Sequence, residues 1–400
     1  MDLKKKLEYL RTSPREETSS SSAPKAEIPA SLKALTEHVE GELIAPEHAP
    51  VLKRTIRLDC PAFRTSVSLT RLSRRQIVQP IELDDCLFFD LETTGLNGGA
   101  GTYPFLLGFG YFEAERFVIE QYFLPDFGRE YFVFKEIEPL LARKRFLISY
   151  NGKSYDLPLL KSRAIMNRLN IDFERFQHID LLHLARRVWK DSQDRCDLNS
   201  VESLQLGLTR QGDIYGGWIP QAYLNFLNTG VIHDMIATIE HNVQDIHSLA
   251  KLLLRLAEIE ERPHTLDDAS ALQRLAQLAF ELGDFEYFEQ VEQALQETGE
   301  SFPPRVQFLK SLFHKKRGEW GNALELWEKL TSDKEFLFPV LEELAKYYEH
   351  RARNRAKALE YCEKALKYFE ILAQLNPYGL NESLKKEFIR RRERLQAKLS

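Results

Sequence analysis

Three short acidic stretches of this chain carry the side chains that could do chemistry. Residues 88–96 read FFDLETTGL, so Asp90 and Glu92 stand two apart, directly after the apolar run Leu87, Phe88 and Phe89. Bulky apolar residues closed by a Gly-rich loop predict a buried strand. Side chains two apart on a strand share a face, so both carboxylates would project together. Two carboxylates side by side in an apolar setting repel each other unless a cation lies between them. Oxygen ligands of this kind suit magnesium or manganese. Taken alone, the pair fits a strand end with two solvated acids better than a metal site. A second stretch, residues 149–160, reads SYNGKSYDLPLL and places Asp156 after the apolar run Phe146, Leu147 and Ile148. The third, residues 241–245, reads HNVQD inside a helical pattern. There His241 and Asp245 are four apart and share one helix face.

These pieces, in this order, resemble the DEDD superfamily of 3′→5′ exonucleases. Over roughly residues 83–254 the chain is similar to the bacterial YprB-type ribonuclease-H-like proteins. The resemblance implies an α/β ribonuclease-H-like core, a mixed sheet flanked by helices. It also implies two divalent metal ions, Mg2+ or Mn2+, held by Asp90, Glu92, Asp156 and Asp245. The expected activity is metal-dependent hydrolysis of phosphodiester bonds in DNA or RNA, with a single-stranded 3′ end as partner. His241 would orient or deprotonate the attacking water. It stands at the spacing that one exonuclease subgroup fills with Tyr, whereas the subgroup using His places it five before the Asp. Thr93, Asn151, Tyr155 and Asn242 belong to the same motifs and are expected at the substrate. An acid can also occur in the family at the position of Asp180, which makes it a second-tier site candidate. Its other reading is an N-terminal cap for the helix it opens. The rival function is a catalytically silent nucleic-acid-binding scaffold that recruits a protein through its helical region. Four converging acids weigh against that.

The elements that must position these groups follow from local pattern. After the Asp90 strand, the glycines of residues 95–101 predict a hairpin turn, because a strand-like segment follows where a phosphate-binding loop needs a helix. Residues 103–111 and 116–123 complete an antiparallel meander of three strands. Residues 131–142 read as a helix, 146–150 as a strand, and 156 onward as a helix with Asp156 in its first turn. His178 and His183 lie among apolar residues and read as structural. Residues 196–208, CDLNSVESLQLGL, resemble the segment between the second and third motifs of family B DNA polymerase exonuclease domains. They predict a helix capped by Asn199 or Ser200 with Leu204 facing inward. The loop of residues 215–220 carries two aromatics, whose faces could stack on unpaired bases; for Trp218 the expectation is packing beneath the helix of residues 234–257, which delivers His241, Asn242 and Asp245.

With 400 residues, 43% of them hydrophobic, the chain can bury more than one core. Its net charge of −5 excludes a globally basic nucleic-acid coat, so attraction to phosphates must be local. Four cysteines without paired or metal-type spacing fit a reduced, cytoplasmic protein. No apolar run approaches membrane length. The expected organisation is a mostly disordered tether at 1–50, a strand-containing lead-in with its own pairing at 51–82, the catalytic domain at 83–262, and a helical domain at 263–400. In the last, Gly283-Asp284-Phe285 recurs as Gly318-Glu319-Trp320, and Ala323-Leu324 as Ala358-Leu359. This spacing resembles tetratricopeptide repeats, whose helix pairs stack to leave a concave face for a protein partner.

Overall fold

The computed structural model describes residues 28–45, 47, 49–60, 64–95, 101–210, 212–299, 303–334, 336–375 and 381–399. The chain falls into two compact units, Met1–Glu261 and Arg262–Ser400. In chain order the first unit contains α1 (Ala30–His38), β1 (Glu42–Ile44), β2 (Val51–Asp59), β3 (Ser66–Val67), β4 (Ile81–Glu82), β5 (Cys86–Thr93), β6 (Pro104–Glu113) and β7 (Arg116–Phe123). It continues with α2 (Glu130–Arg143), β8 (Phe146–Ser149), α3 (Asp156–Met166), β9 (Gln177–Asp180), α4 (Leu181–Trp189), α5 (Leu198–Val201), α6 (Ile219–Thr229) and α7 (His233–Glu261).

Seven strands form one mixed sheet in the order β1-β2-β7-β6-β5-β8-β9. The strands β5, β6 and β7 make the antiparallel meander that the sequence predicts, while β8 runs parallel to β5 and β9 parallel to β8. Parallel neighbours need a crossover, and α2 and α3 supply one each. One face of the sheet, with Leu87, Phe89, Leu91, Leu107 and Phe109, shares a core with Val133, Phe134 and Ile137 of α2 and Leu157 and Leu160 of α3. The long helix α7 lies against β5, β6 and β7.

Two expectations about the N-terminal region give way. The tether does not extend through residue 50, because α1 buries Leu32 and Leu35 and β1 pairs with β2. Residues 1–27, 46 and 48 lie outside the described residues, as do residues 96–100 of the Gly-rich turn. Nor is the lead-in a separate pairing element throughout. The strand β2 joins the main sheet and pairs with β7 over Leu52 to Asp59, leaving only β3 and β4 to pair with each other. The lead-in is also pinned to α7, where the buried Glu260 carboxylate accepts the backbone N–H groups of Arg71 at 3.0 Å and Leu72 at 2.8 Å.

The second unit is helical: α8 (Ala269–Leu282), α9 (Phe285–Glu297), α10 (Pro304–Arg317), α11 (Trp320–Leu330), α12 (Leu337–His350), α13 (Arg355–Leu375) and α14 (Glu382–Gln396). The recurring glycines sit between paired helices. Gly283 and Gly318 adopt φ of 67° and 77° and end α8 and α10, a left-handed conformation that glycine takes without Cβ strain. The second helices of three successive pairs open at Phe285, Trp320 and Arg355, each 35 residues after the last. Ala323 and Ala358 are both fully buried in one core, as small residues must be where helices approach closely. Among the described residues no helix is long and apolar enough to cross a membrane.

Candidate metal centre

The strand β5 carries Asp90 and Glu92 on the side facing α7, and that helix comes unusually close. Asp90 pairs with Gly108 on β6, and Gly108 with Gln121 on β7. A Cβ on Gly108 would lie 2.1 Å from Asn242 Oδ1, and one on Gly110 would lie 2.5 Å from Ile246 Cγ2. Glycines two apart on a strand thus leave a shallow trough, into which α7 sets residues four apart on one of its faces. Within the trough Asn242 Nδ2 donates to Asp90 Oδ2 at 2.9 Å. Gln121 Nε2 donates to Asn242 Oδ1 and to the carbonyl of Ile239, each at 2.9 Å. From the sequence, Asn242 is expected at the substrate. It is 0% exposed, and its amide is used within the protein to fix Asp90 and the height of α7. Beside it a register shift between Glu92 and Thr93 interrupts the β5–β6 ladder. Such bulges re-aim side chains next to active sites.

This docking brings His241 and Asp245 over the strand. Glu92, His241 and Asp245 each present a ligand atom, all within 4.8 Å of one another. His241 Nε2 lies 3.4 Å from Asp245 Oδ2 and 4.0 Å from Glu92 Oε1. Asp90 and Asp156 stand outside that mutual distance. The carboxylate-rich donor set, with one imidazole, fits a divalent cation of the Mg2+ or Mn2+ kind.

Three residues that the sequence reading missed organise the far side of the cluster. Arg210 donates through Nε and Nη2 to both oxygens of Glu202 at 2.6 Å, through Nη1 to Asp213 Oδ2 at 3.2 Å, and through Nη2 to Asp245 Oδ1. Asp213 Oδ1 lies 2.7 Å from His241 Nδ1. The same Nδ1 lies 3.1 Å from Arg210 Nη1, so His241 is held between a carboxylate and a guanidinium, with Nε2 on the side of the acids. Glu202, 2% exposed, reaches Arg210 from a π-helical turn, Glu202–Leu206. That turn corrects two expectations. Asp197, not Asn199 or Ser200, caps the segment by accepting Ser200 N–H at 3.0 Å, and Leu204 is 64% exposed. No hydrophobic period marks Arg210 or Asp213. The available signal was a lone Arg and an Asp three apart between two helical patterns.

The electrostatics are those of an acid cluster short of positive charge. Asp90 is held well above the usual carboxylate range by burial and by the charges of Asp245 and Asp156. Glu92 is raised by burial and then by Asp90, Asp245 and Asp156. Asp156 is pushed up to about 7, mainly by burial, with Asp180 and Asp245 adding to it. Burial also raises Asp245, against the opposing pull of His241 and Arg210. These shifts place Asp156 within electrostatic reach of Asp90 and Glu92, although it is not in the tight group.

Asp180 acts on the loop that carries Asp156. Its carboxylate accepts the N–H groups of Asn151 at 2.7 Å, Lys153 at 3.1 Å and Leu182 at 3.1 Å. It is thus both the cap of α4 and a clamp on the 151–153 turn, where Asn151 has φ of 62°. His178, which the sequence reads as structural, has Nε2 2.7 Å from Ser149 Oγ. Thr93, Tyr155 and Asp156 line one cleft of about 290 Å³, and Asn151 lines another of about 650 Å³ with Arg186, Lys190 and Arg195. Trp218 does not pack beneath α7. It is 69% exposed, and Tyr215 is 73% exposed.

A family model described as the RNase_H superfamily matches residues 87–257. Across 289 residues the chain is 32% identical to YprB of Bacillus subtilis (strain 168), described as an uncharacterized protein, which covers 71% of this chain and 69% of that one. The matched region holds both β5 acids and both α7 groups.

Proposed function

We propose, from the premise that the chain belongs to the RNase_H superfamily, that it is a metal-dependent nuclease hydrolysing phosphodiester bonds of DNA or RNA. The observation that carries this reading is the convergence of Glu92, His241 and Asp245 within 4.8 Å, beside Asp90. Asp90, Glu92, Asp156 and Asp245 would hold two divalent ions, Mg2+ or Mn2+. When bound, such ions lower the pKa of an attacking water and stabilise the leaving 3′-oxygen. The protein's own share is positional. Asn242 orients Asp90, Arg210 occupies one oxygen of Asp245, and Asp213 holds His241 with Nε2 free to take a proton from water. A 3′→5′ exonuclease direction is supported by the order of the acidic motifs. The helical unit is assigned to recruitment of a partner, supported by the tetratricopeptide-like 35-residue recurrence of its helix pairs.

The test is incubation of the full chain with end-labelled single-stranded DNA and RNA in Mg2+, in Mn2+ or in EDTA. Cleavage should need the metal and vanish in Asp90→Asn. Wild-type cleavage that survives EDTA, or Asp90→Asn cleaving at the wild-type rate, would sink the reading.

A further inference from the structure

Tyr215 and Trp218 are the two most exposed aromatic side chains among the described residues, and they occur three apart in one short segment. A 3-10 turn, Gly216–Trp218, followed at once by α6 sets them there. The Tyr215 ring lies against the backbone of Gly217, whose missing Cβ would be 2.6 Å from Tyr215 Cε1. Both rings line a cleft of about 610 Å³, along with Asp213, Gln221 and Asn225. Asp213 is the same residue whose carboxylate holds His241 Nδ1 at 2.7 Å, so the cleft and the candidate metal centre share a wall.

We propose that this cleft is a stacking site for an unpaired nucleobase of the nucleic acid, a step that rests on the nuclease reading above. Three features select a base over other occupants. Two aromatic rings left open to water offer flat faces, on which every base stacks irrespective of sequence. The amides of Gln221 and Asn225, which already bond each other at 2.9 Å, lie where a base edge could exchange with that bond. The lining also contains Asp213 and Asp234 but no lysine or arginine, so it does not suit a phosphate. Cations line a different cleft, where Arg186, Lys190 and Arg195 stand beside Asp194 and Asp197. The substrate class that follows is single-stranded, because a paired base presents no free face.

The experiment uses the full chain carrying Asp90→Asn, so that the strand survives, with short oligothymidylate as the probe. Of the four tryptophans, Trp189 and Trp327 are fully buried and Trp320 is partly covered, so emission changes on binding report Trp218. Oligothymidylate should quench this emission, and blunt duplex of the same length should not. Trp218→Ala and Tyr215→Ala should each weaken binding by about 5- to 150-fold, the range that roughly 1–3 kcal/mol of stacking per base gives. Trp218→Phe should recover most of it. The salt dependence should keep its slope, since stacking releases no counterions. An abasic strand should bind the parent chain and Trp218→Ala equally. Binding without quenching, unchanged affinity in Trp218→Ala, or a flattened salt slope in that variant would overturn the stacking site and leave the nuclease reading standing. Failure of both oligothymidylate and oligouridylate to bind at all would overturn both.

Discussion

Replacing Gly108 by Ala should cost as much as a core cavity, although it adds a single methyl group. The new Cβ would stand 2.1 Å from Asn242 Oδ1 and 2.9 Å from both Cγ and Nδ2, where a carbon–oxygen contact prefers about 3.3 Å or more. The overlap exceeds what a small shift relieves. Asn242 is 0% exposed and held from two sides, by Asp90 at 2.9 Å and Gln121 at 2.9 Å. It must therefore give up both hydrogen bonds or lift α7 off the sheet. A bond to a carboxylate contributes about 1.5–3 kcal/mol and a neutral one about 0.5–1.5 kcal/mol, so the loss is roughly 2–4 kcal/mol. Because the chain has two units, a single melting curve mixes them. Native-state hydrogen exchange in peptides from β6 and α7 reads the first unit alone, and its slowest amides should exchange roughly 30- to 1,000-fold faster. The decisive arm is the double-mutant cycle. Asn242→Ala removes the obstructing amide, so adding Gly108→Ala to it should cost less than about 1 kcal/mol, giving a coupling of about 2 kcal/mol. Equal costs of Gly108→Ala in both backgrounds would refute the trough.

Two further outcomes follow from the charges around it. Arg210→Met leaves Glu202, Asp213 and Asp245 facing one another without their guanidinium, and breaking buried pairs of this kind costs on the order of 3–5 kcal/mol. Hydrogen exchange of first-unit peptides in EDTA should show that loss, and Mn2+ should restore more protection to the variant than to the parent; unchanged exchange in EDTA would count against the hub. The pH dependence of the metal-free protein has the opposite sign to that of an ordinary ion-paired acid. Asp90, Glu92, Asp156 and Asp245 all titrate higher in the fold than in the unfolded chain, so their contribution is present below the ordinary carboxylate range and lost as pH rises, for Asp156 from about 4 through about 7. Protection of first-unit amides in EDTA should therefore improve from pH 7.5 down to about 6.5, below which His178 and His247, lowered to about 4 by burial, work the other way; saturating Mn2+ should flatten or reverse the trend. Metal-free protection that instead falls steadily over that interval would show that the acids are not buried and crowded as placed.

What the sequence disclosed and what it withheld divide along a physical line. The placement of Asp90 and Glu92 on one strand, of Asp156 at a helix start and of His241 and Asp245 on one helix was legible, because short-range periodicity sets each element. The meander and α7 were legible for the same reason. Interactions that depend on long-range register were hidden. The role of Asn242 is set by Gly108, more than a hundred residues away, and becomes visible only once β6 lies between β5 and β7. The helix α1 was read as tether because its flanks are rich in proline and serine. Its order comes from burying Leu32 and Leu35, a tertiary gain that propensity does not report. Arg210 and Asp213 lie in a stretch without periodicity, so only their partners identify them. Trp218 went the other way. An aromatic beside a helix start reads as core, yet this one faces solvent. The Gly-Phe-Gly of β6 held a usable hint, since two glycines on one face of a central strand weaken it unless something must approach closely. Paired with the Asn242 and Ile246 spacing on α7, that pattern specifies a helix sunk onto a sheet. The depth of that contact, rather than the acids themselves, decides whether His241 and Asp245 reach Glu92.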